Sequence, residues 1–265
     1  HPFCALFLDL GIVGIAMSKS LVTLLGVFFL FYRLVDFSIM KTVSWRFNWH
    51  KSVLLSRQAL PASCIQLLVP VYLLMLTKVI TAYGVTAVAG FGLGYRVIMF
   101  VIIPILGVLV ALLVLLSHAY ADGEKDRIRL LLSTSIKWGC GIVVLAVVVS
   151  YYVFRWFFSP IGEIEQIALD YIVLAMYITV LEYIIGILIV SLQSIQRPKW
   201  AFVTALSRTL IFPIPILGYI YTQGVNEVTL TDLWYALAVS FSLALLVSYM
   251  VWRMIFWPKV HTSRA

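Results

Sequence analysis

The amino-acid sequence predicts an all-α membrane protein with about seven transmembrane helices. Three observations carry this expectation. First, 63% of the 265 residues are hydrophobic and only 11% are charged, against roughly 45–50% and about 25% in a soluble domain. That leaves too little polar surface to cover a water-soluble globule. Second, the apolar residues gather in long runs, and about 20 such residues cross a bilayer as helix. The runs are apolar all round, which disfavours a β-barrel, whose strands alternate over about ten residues. Third, Lys and Arg fall only in every second connection between the runs.

The expected spans are residues 11–33, 60–82, 86–117, 130–158, 165–193, 200–222 and 233–257. The second contains Pro70, the third Pro104, and the sixth Pro213 and Pro215. Proline removes a backbone donor and kinks a helix. In membranes such breaks are tolerated where neighbours or a cavity satisfy the freed carbonyls. Packing curvature accounts for any one of these prolines; three broken helices together favour a protein that moves or holds a cavity. The third span carries Gly90, Gly92 and Gly94, and the fourth Gly139 and Gly141. The Gly-x-Gly-x-Gly pattern has no strand before it, so close helix packing explains it better than a nucleotide loop.

The basic connections hold Lys41, Arg46, Lys51 and Arg57, then Lys125, Arg127 and Arg129, then Arg197 and Lys199, with Lys259 and Arg264 after the last span. The alternate connections hold none and carry Asp9, Glu163, Glu227 and Asp232. Positive charge marks the cytoplasmic side, so the first span starts outside and the tail ends inside. No charged region precedes the first run and no cleavage site follows it, which argues against a signal peptide. An outside start without a signal peptide predicts that an odd number of helices precedes His1, so the chain reads as truncated.

In the connection spanning residues 34–59, Trp45, Trp49 and Val53 recur at every fourth position, with Arg46, His50 and Arg57 on an adjacent stripe. This spacing predicts a short amphipathic helix in the headgroup layer; an ordinary basic linker is the alternative. Cys4, Cys64 and Cys140 show no metal spacing, and the four histidines fall outside the apolar centres. The net charge of +8 is scattered, which fits lipid headgroups better than nucleic acid.

Ionisable residues inside a membrane are costly and are functional candidates by default. Four lie deep in their spans: Lys19, Arg96, Glu182 and Arg208. Glu182 is the only carboxylate near the middle of any span. It could load and release a proton, or bind Na⁺ with neighbouring oxygens. The alternative is a structural ion pair with Arg208 or Arg96, and both roles hold if the arginine gives way to a cation. Arg208 stands just before Phe212-Pro213-Ile214-Pro215, where anchoring to freed carbonyls is the simpler role. Lys19 and Arg96 reach either the headgroups or a cavity.

The stretch Ala59-Leu60-Pro61-Ala62, continuing through Tyr83-Gly84-Val85-Thr86-Ala87-Val88-Ala89-Gly90, resembles the start of the C-terminal lobe of MATE (multidrug and toxic compound extrusion) transporters. Arg96, Pro104, His118 and Gly123 are similar to that family's helix eight and the loop after it. Ser191-Leu192-Gln193-Ser194 resembles the exit of helix ten, and Ser207-Arg208 with Pro213 and Pro215 resembles helix eleven. Gly11-Ile12-Val13-Gly14-Ile15-Ala16 resembles the start of helix six. The resemblance implies a two-lobe, twelve-helix transporter of which this chain supplies helices six to twelve. Residues 1–33 would then be the last helix of the N-terminal lobe, 34–59 a cytoplasmic linker, 60–257 a six-helix C-terminal lobe and 258–265 a cytoplasmic tail.

In one branch of the family a carboxylate on helix ten, eleven residues before the exit motif, belongs to the cation site. Glu182 stands eleven residues before Gln193, so the resemblance assigns it that role. The same branch has a glutamate on helix seven where this chain has Val69, with Gln66 nearby. Arg208, Arg96, Gln66 and Tyr95 are therefore the candidate cavity or charge partners of Glu182. No metal is expected beyond Na⁺ at Glu182, and no cofactor beyond a coupling H⁺ or Na⁺.

The implied function is efflux of cationic amphipathic small molecules by cation antiport. The expected setting is a bacterial inner membrane, with a lipid bilayer as partner, no nucleic acid, and a monomeric complete protein. A lipid-linked oligosaccharide flippase of the same superfamily is the nearest rival, kept open by Lys19, Arg96 and Arg208. An intramembrane enzyme is the rival from another class, and no GxSxG, HExxH or paired His/Asp on a span supports it.

Overall fold

Inside a bilayer each backbone N–H and C=O must find its partner within the chain, and the apolar runs meet this demand as helix. The computed structural model describes residues 11–36, 49–158, 162–223 and 228–262. The chain divides into two compact units, His1–Val53 and Leu54–Ala265. The helices are α1 (Gly11–Asp36), α2 (Trp49–Thr81), α3 (Val85–Ala121), α4 (Lys125–Phe157), α5 (Glu163–Ser194), α6 (Pro198–Leu206), α7 (Pro213–Gln223) and α8 (Leu230–Thr262), with a five-residue π-helical turn, Ser207–Ile211, joining α6 to α7. No strand occurs among the described residues.

Among the described residues, six stretches are long and apolar enough to cross a membrane: Ala59–Thr81, Val85–Ala121, Lys125–Phe157, Glu163–Ser194, Pro198–Gln223 and Leu230–Val260. They match the second to seventh expected spans. The first expected span, residues 11–33, lies in α1 of the first unit and is not one of the six. The chain is an integral membrane protein.

The helices outrun the apolar spans. α4 begins at Lys125 rather than near Leu130, and α8 continues to Thr262. Charged residues end the apolar run without ending the hydrogen-bond ladder. What ends the ladder is turn chemistry. Gly84 (φ 100°) and Gly123 (φ 72°) take the left-handed conformation in the connections on either side of α3, where a Cβ would be strained. After α5 the same conformation falls to Gln196 (φ 57°), and the Arg197 N–H donates back to the Leu192 carbonyl at 3.0 Å, closing the helix end. α8 opens with reciprocal bonds. The Thr229 N–H donates to Asp232 Oδ2 at 3.0 Å, and the Asp232 N–H donates to Thr229 Oγ1 at 3.2 Å.

The expected amphipathic stripe is only partly within the described residues. Trp45 lies outside them, while Trp49 and Val53 are exposed on the opening turns of α2. There the chain is already in the helix that continues to Thr81, with no separate short helix.

α5 is the centre of the second unit. It packs against α3, α4, α6 and α8, and every residue from Ile185 to Leu192 is buried. Its close neighbours approach through glycine. A Cβ on Gly90 would lie 2.7 Å from Ile167 Cγ2, and one on Gly94 would lie 2.8 Å from Tyr171 Cδ1, so α3 lies against α5 with no room for side chains at these two turns. Gly139 of α4 leaves the space that the Tyr183 ring of α5 fills, and the Tyr183 hydroxyl donates to the Ser135 carbonyl at 2.9 Å. On α8, Trp252 Nε1 donates to Ser191 Oγ of α5 at 2.6 Å. The outward faces carry exposed Phe100, Trp138, Leu145 and Trp156, which is the surface a lipid-embedded helix presents.

Candidate cation site

Glu182 lies where the burial of α5 is incomplete. Leu181 and Tyr183 on either side of it are buried, while the Glu182 side chain keeps 31% of its exposure. Its carboxylate is therefore partly accessible within the second unit.

The opposing group is positioned by two prolines. Pro213 has no N–H to donate to the Thr209 carbonyl, and Pro215 none for the Ile211 carbonyl; the proline ring also clashes with the carbonyl four residues back. A single proline is absorbed by a long helix: α2 and α3 remain helical through Pro70 and Pro104. The closely spaced pair is not absorbed. The chain widens by one residue, and the Phe212 N–H donates to the Ser207 carbonyl, five residues back, at 3.3 Å. Such π turns concentrate at functional sites. Thr209 Oγ1 donates to the Ala205 carbonyl at 2.8 Å and Ser207 Oγ to the Thr204 carbonyl at 2.8 Å, which ties the widened turn to α6.

Arg208 lies in this turn. Its Nη1 is 3.8 Å from Glu182 Oε1, and its side chain keeps 16% of its exposure. The distance is an ion pair without a direct hydrogen bond. Tyr72 of α2, Tyr95 of α3 and Tyr171 of α5 all lie close enough to feel the Glu182 charge. Tyr95 and Tyr171 join a packed aromatic group around Phe91, while Tyr72 meets Phe241 edge-on. Phe91 meets Tyr171 edge-on at 5.0 Å and stacks on Trp234 at 5.9 Å, while Tyr171 meets Trp234 at 5.1 Å. Groups from α2, α3, α5 and the π turn thus lie within reach of one carboxylate. Among the described residues no three His, Cys, Asp or Glu side chains gather as a metal cluster would require, so any cation at Glu182 would complete its shell with hydroxyls, carbonyls or water.

Of the four expected partners, Arg208 pairs with Glu182, and Tyr95 makes no hydrogen bond to it but lies within reach of its charge. Gln66 and Arg96 are exposed, and Arg96 forms no ion pair among the described residues. Lys19 lies on α1, in the other unit. Tyr171, Phe91 and Trp234 were not singled out from sequence. Tyr171 precedes Glu182 by eleven residues, about three helical turns, which puts both on one face of α5; that spacing was the available signal.

A family model, MatE, matches residues 61–220. No curated protein matches the chain. Among solved structures, the chain is similar to a Vibrio cholerae MATE transporter in the bent form (19% identity, TM-score 0.75, covering 99% of this chain and 59% of that one). It is similar to a multidrug resistance MATE family transporter of the MOP superfamily in an outward-facing conformation (23%, 0.78, 97% and 59%). A third likeness is a MOP superfamily transporter from Pyrococcus furiosus, described as having a binding pocket of reverse polarity that suggests a different function (19%, 0.76, 100% and 60%). The chain thus spans about 59% of the length of the solved transporters it matches. At these identities the structures establish the fold, and the family model, which covers more than half of the chain, establishes the kinship: the protein belongs to the MatE family of membrane transporters.

Proposed function

We infer that this chain supplies the C-terminal part of a secondary active exporter, in which Glu182 binds in turn the exported cation and the coupling H⁺ or Na⁺. The observation that supports this reading is the Glu182 carboxylate itself. It is central in α5, partly shielded, held at 3.8 Å from Arg208, and Tyr72 and Tyr95 lie within reach of its charge. A cation entering a low-dielectric site needs a counter-charge, because burying it alone is prohibitive. Aromatic neighbours suit an amphipathic organic cation. A carboxylate that one cation neutralises at a time links two cation fluxes without further chemistry, so cargo and coupling ion exclude each other. The complete transporter works as a monomer in a bacterial inner membrane and engages no nucleic acid.

The flippase reading calls for cationic groups free to meet a pyrophosphate. Arg208 is compensated by Glu182, which favours the cation reading. The test is efflux of ethidium from vesicles containing the complete transporter, under an imposed proton or sodium gradient. Export that follows one of the two gradients supports the proposal; export indifferent to both overturns it.

The Lys/Arg alternation adds a topological prediction. Single cysteines at positions 125 and 199 should react with a membrane-impermeant maleimide only after the cytoplasmic side is opened. Labelling of either in intact cells would reverse the orientation.

A further inference from the structure

Glu182 and Arg208 form an incomplete ion pair. A guanidinium that holds a carboxylate for structural reasons docks by two parallel bonds at about 2.7–2.9 Å. Here the approach is 3.8 Å, and neither side chain makes a hydrogen bond to any described residue. Both side chains keep some exposure, 31% for Glu182 and 16% for Arg208, so neither is sealed away from an arriving cation. The turn that carries Arg208 is the one place where the described spans leave the α-helical ladder, through Ser207–Ile211. The Thr209 and Ile211 carbonyls in the same turn lose their helical donors to Pro213 and Pro215, which gives a displaced guanidinium acceptors close to its own backbone.

The geometry points to Arg208 as a tethered cation that occupies Glu182 between binding events and is displaced by each cation that arrives. This rests on the reading of Glu182 as the cation site and adds to it how that site releases its cargo. A naked carboxylate in a poorly hydrated site would hold an organic cation tightly and let it go slowly. A tethered arginine lowers that affinity by competing at high local concentration, and it takes over the carboxylate as the cargo leaves. Arg208 acts through Glu182, so it is a positioning and affinity-setting residue.

The experiment is ethidium transport by the complete transporter in proteoliposomes, with KM and kcat measured separately for wild type, Arg208→Gln, Arg208→Lys and Glu182→Gln. Removing the competitor is expected to lower KM for Arg208→Gln at least about tenfold and to lower kcat with it, since release becomes slow. Arg208→Lys keeps the charge but loses the planar fork, so its KM is expected to fall only about threefold. That variant also serves if Arg208→Gln fails to fold. A KM that is unchanged or raised in Arg208→Gln overturns the inference, as does a Lys variant equal to wild type when the Gln variant cannot be purified. The Glu182→Gln arm separates the two claims. If it transports normally, the cation-site reading itself falls. If it is dead while the Arg208 variants leave KM unmoved, the site stands and the tethered-cation inference alone falls.

Discussion

Glu182→Gln is expected to abolish gradient-driven export by the complete transporter while leaving the protein folded and inserted. The amide keeps the shape of the carboxylate but carries no charge to exchange. The side chain makes no hydrogen bond among the described residues and keeps 31% of its exposure, so the substitution breaks no packing and leaves no buried donor unmet. Its one structural consequence is an uncompensated Arg208, which is itself partly exposed and can turn to carbonyls of its own turn. Glu182→Asp keeps the charge on a shorter stem and is expected to retain part of the activity. Efflux from vesicles under an imposed gradient, together with the elution profile of the purified variant, checks both. Normal export by the Gln variant would make Glu182 structural.

A loss of stability, rather than of activity alone, is expected from Gly139→Ala. A Cβ at this position would coincide with the Tyr183 hydroxyl and ring edge. Tyr183 is 1% exposed and donates to the Ser135 carbonyl one turn before Gly139. The ring cannot retreat without giving up that bond and repacking α4 against α5. Overpacking of this kind costs about 1–3 kcal/mol, with about 1 kcal/mol more for the lost hydrogen bond. Thermal denaturation in detergent should show Gly139→Ala well below wild type. Gly141→Ala serves as the control, because its Cβ would meet nothing within 4 Å. Equal melting of the two variants would contradict the packing.

The difference between these two glycines shows where sequence reasoning stops. Composition and charge alternation locate the spans, because both report on the solvent each segment faces. Gly139 and Gly141 look alike in such a reading, yet only one receives a neighbour's side chain, and which one depends on the rotation of α4 against α5. The same holds for the prolines. Pro70, Pro104, Pro213 and Pro215 all predict breaks, but only the spaced pair after Arg208 forces the chain out of the α-helical ladder. Glu182 stood out because a carboxylate is conspicuous among apolar residues. Its distance from Arg208, and the convergence of Tyr72, Tyr95 and Tyr171, follow from how α2, α3, α5 and the π turn meet. Helix ends were legible to within the apolar run only. Lys125 and Asp126 at the start of α4 are helical because charge alone does not break a hydrogen-bond ladder that a turn glycine has not yet ended.

The most direct test of Glu182 as the shared cation site is equilibrium binding of ethidium to the purified complete transporter, followed as pH is lowered or Na⁺ is raised. One site shared by cargo and coupling ion predicts simple competition. The apparent Kd for ethidium should rise in proportion to the concentration of the coupling ion in wild type and become independent of it in Glu182→Gln. Competition of equal strength in the Gln variant would contradict the account, because the two cations would then be meeting at a site that does not involve Glu182.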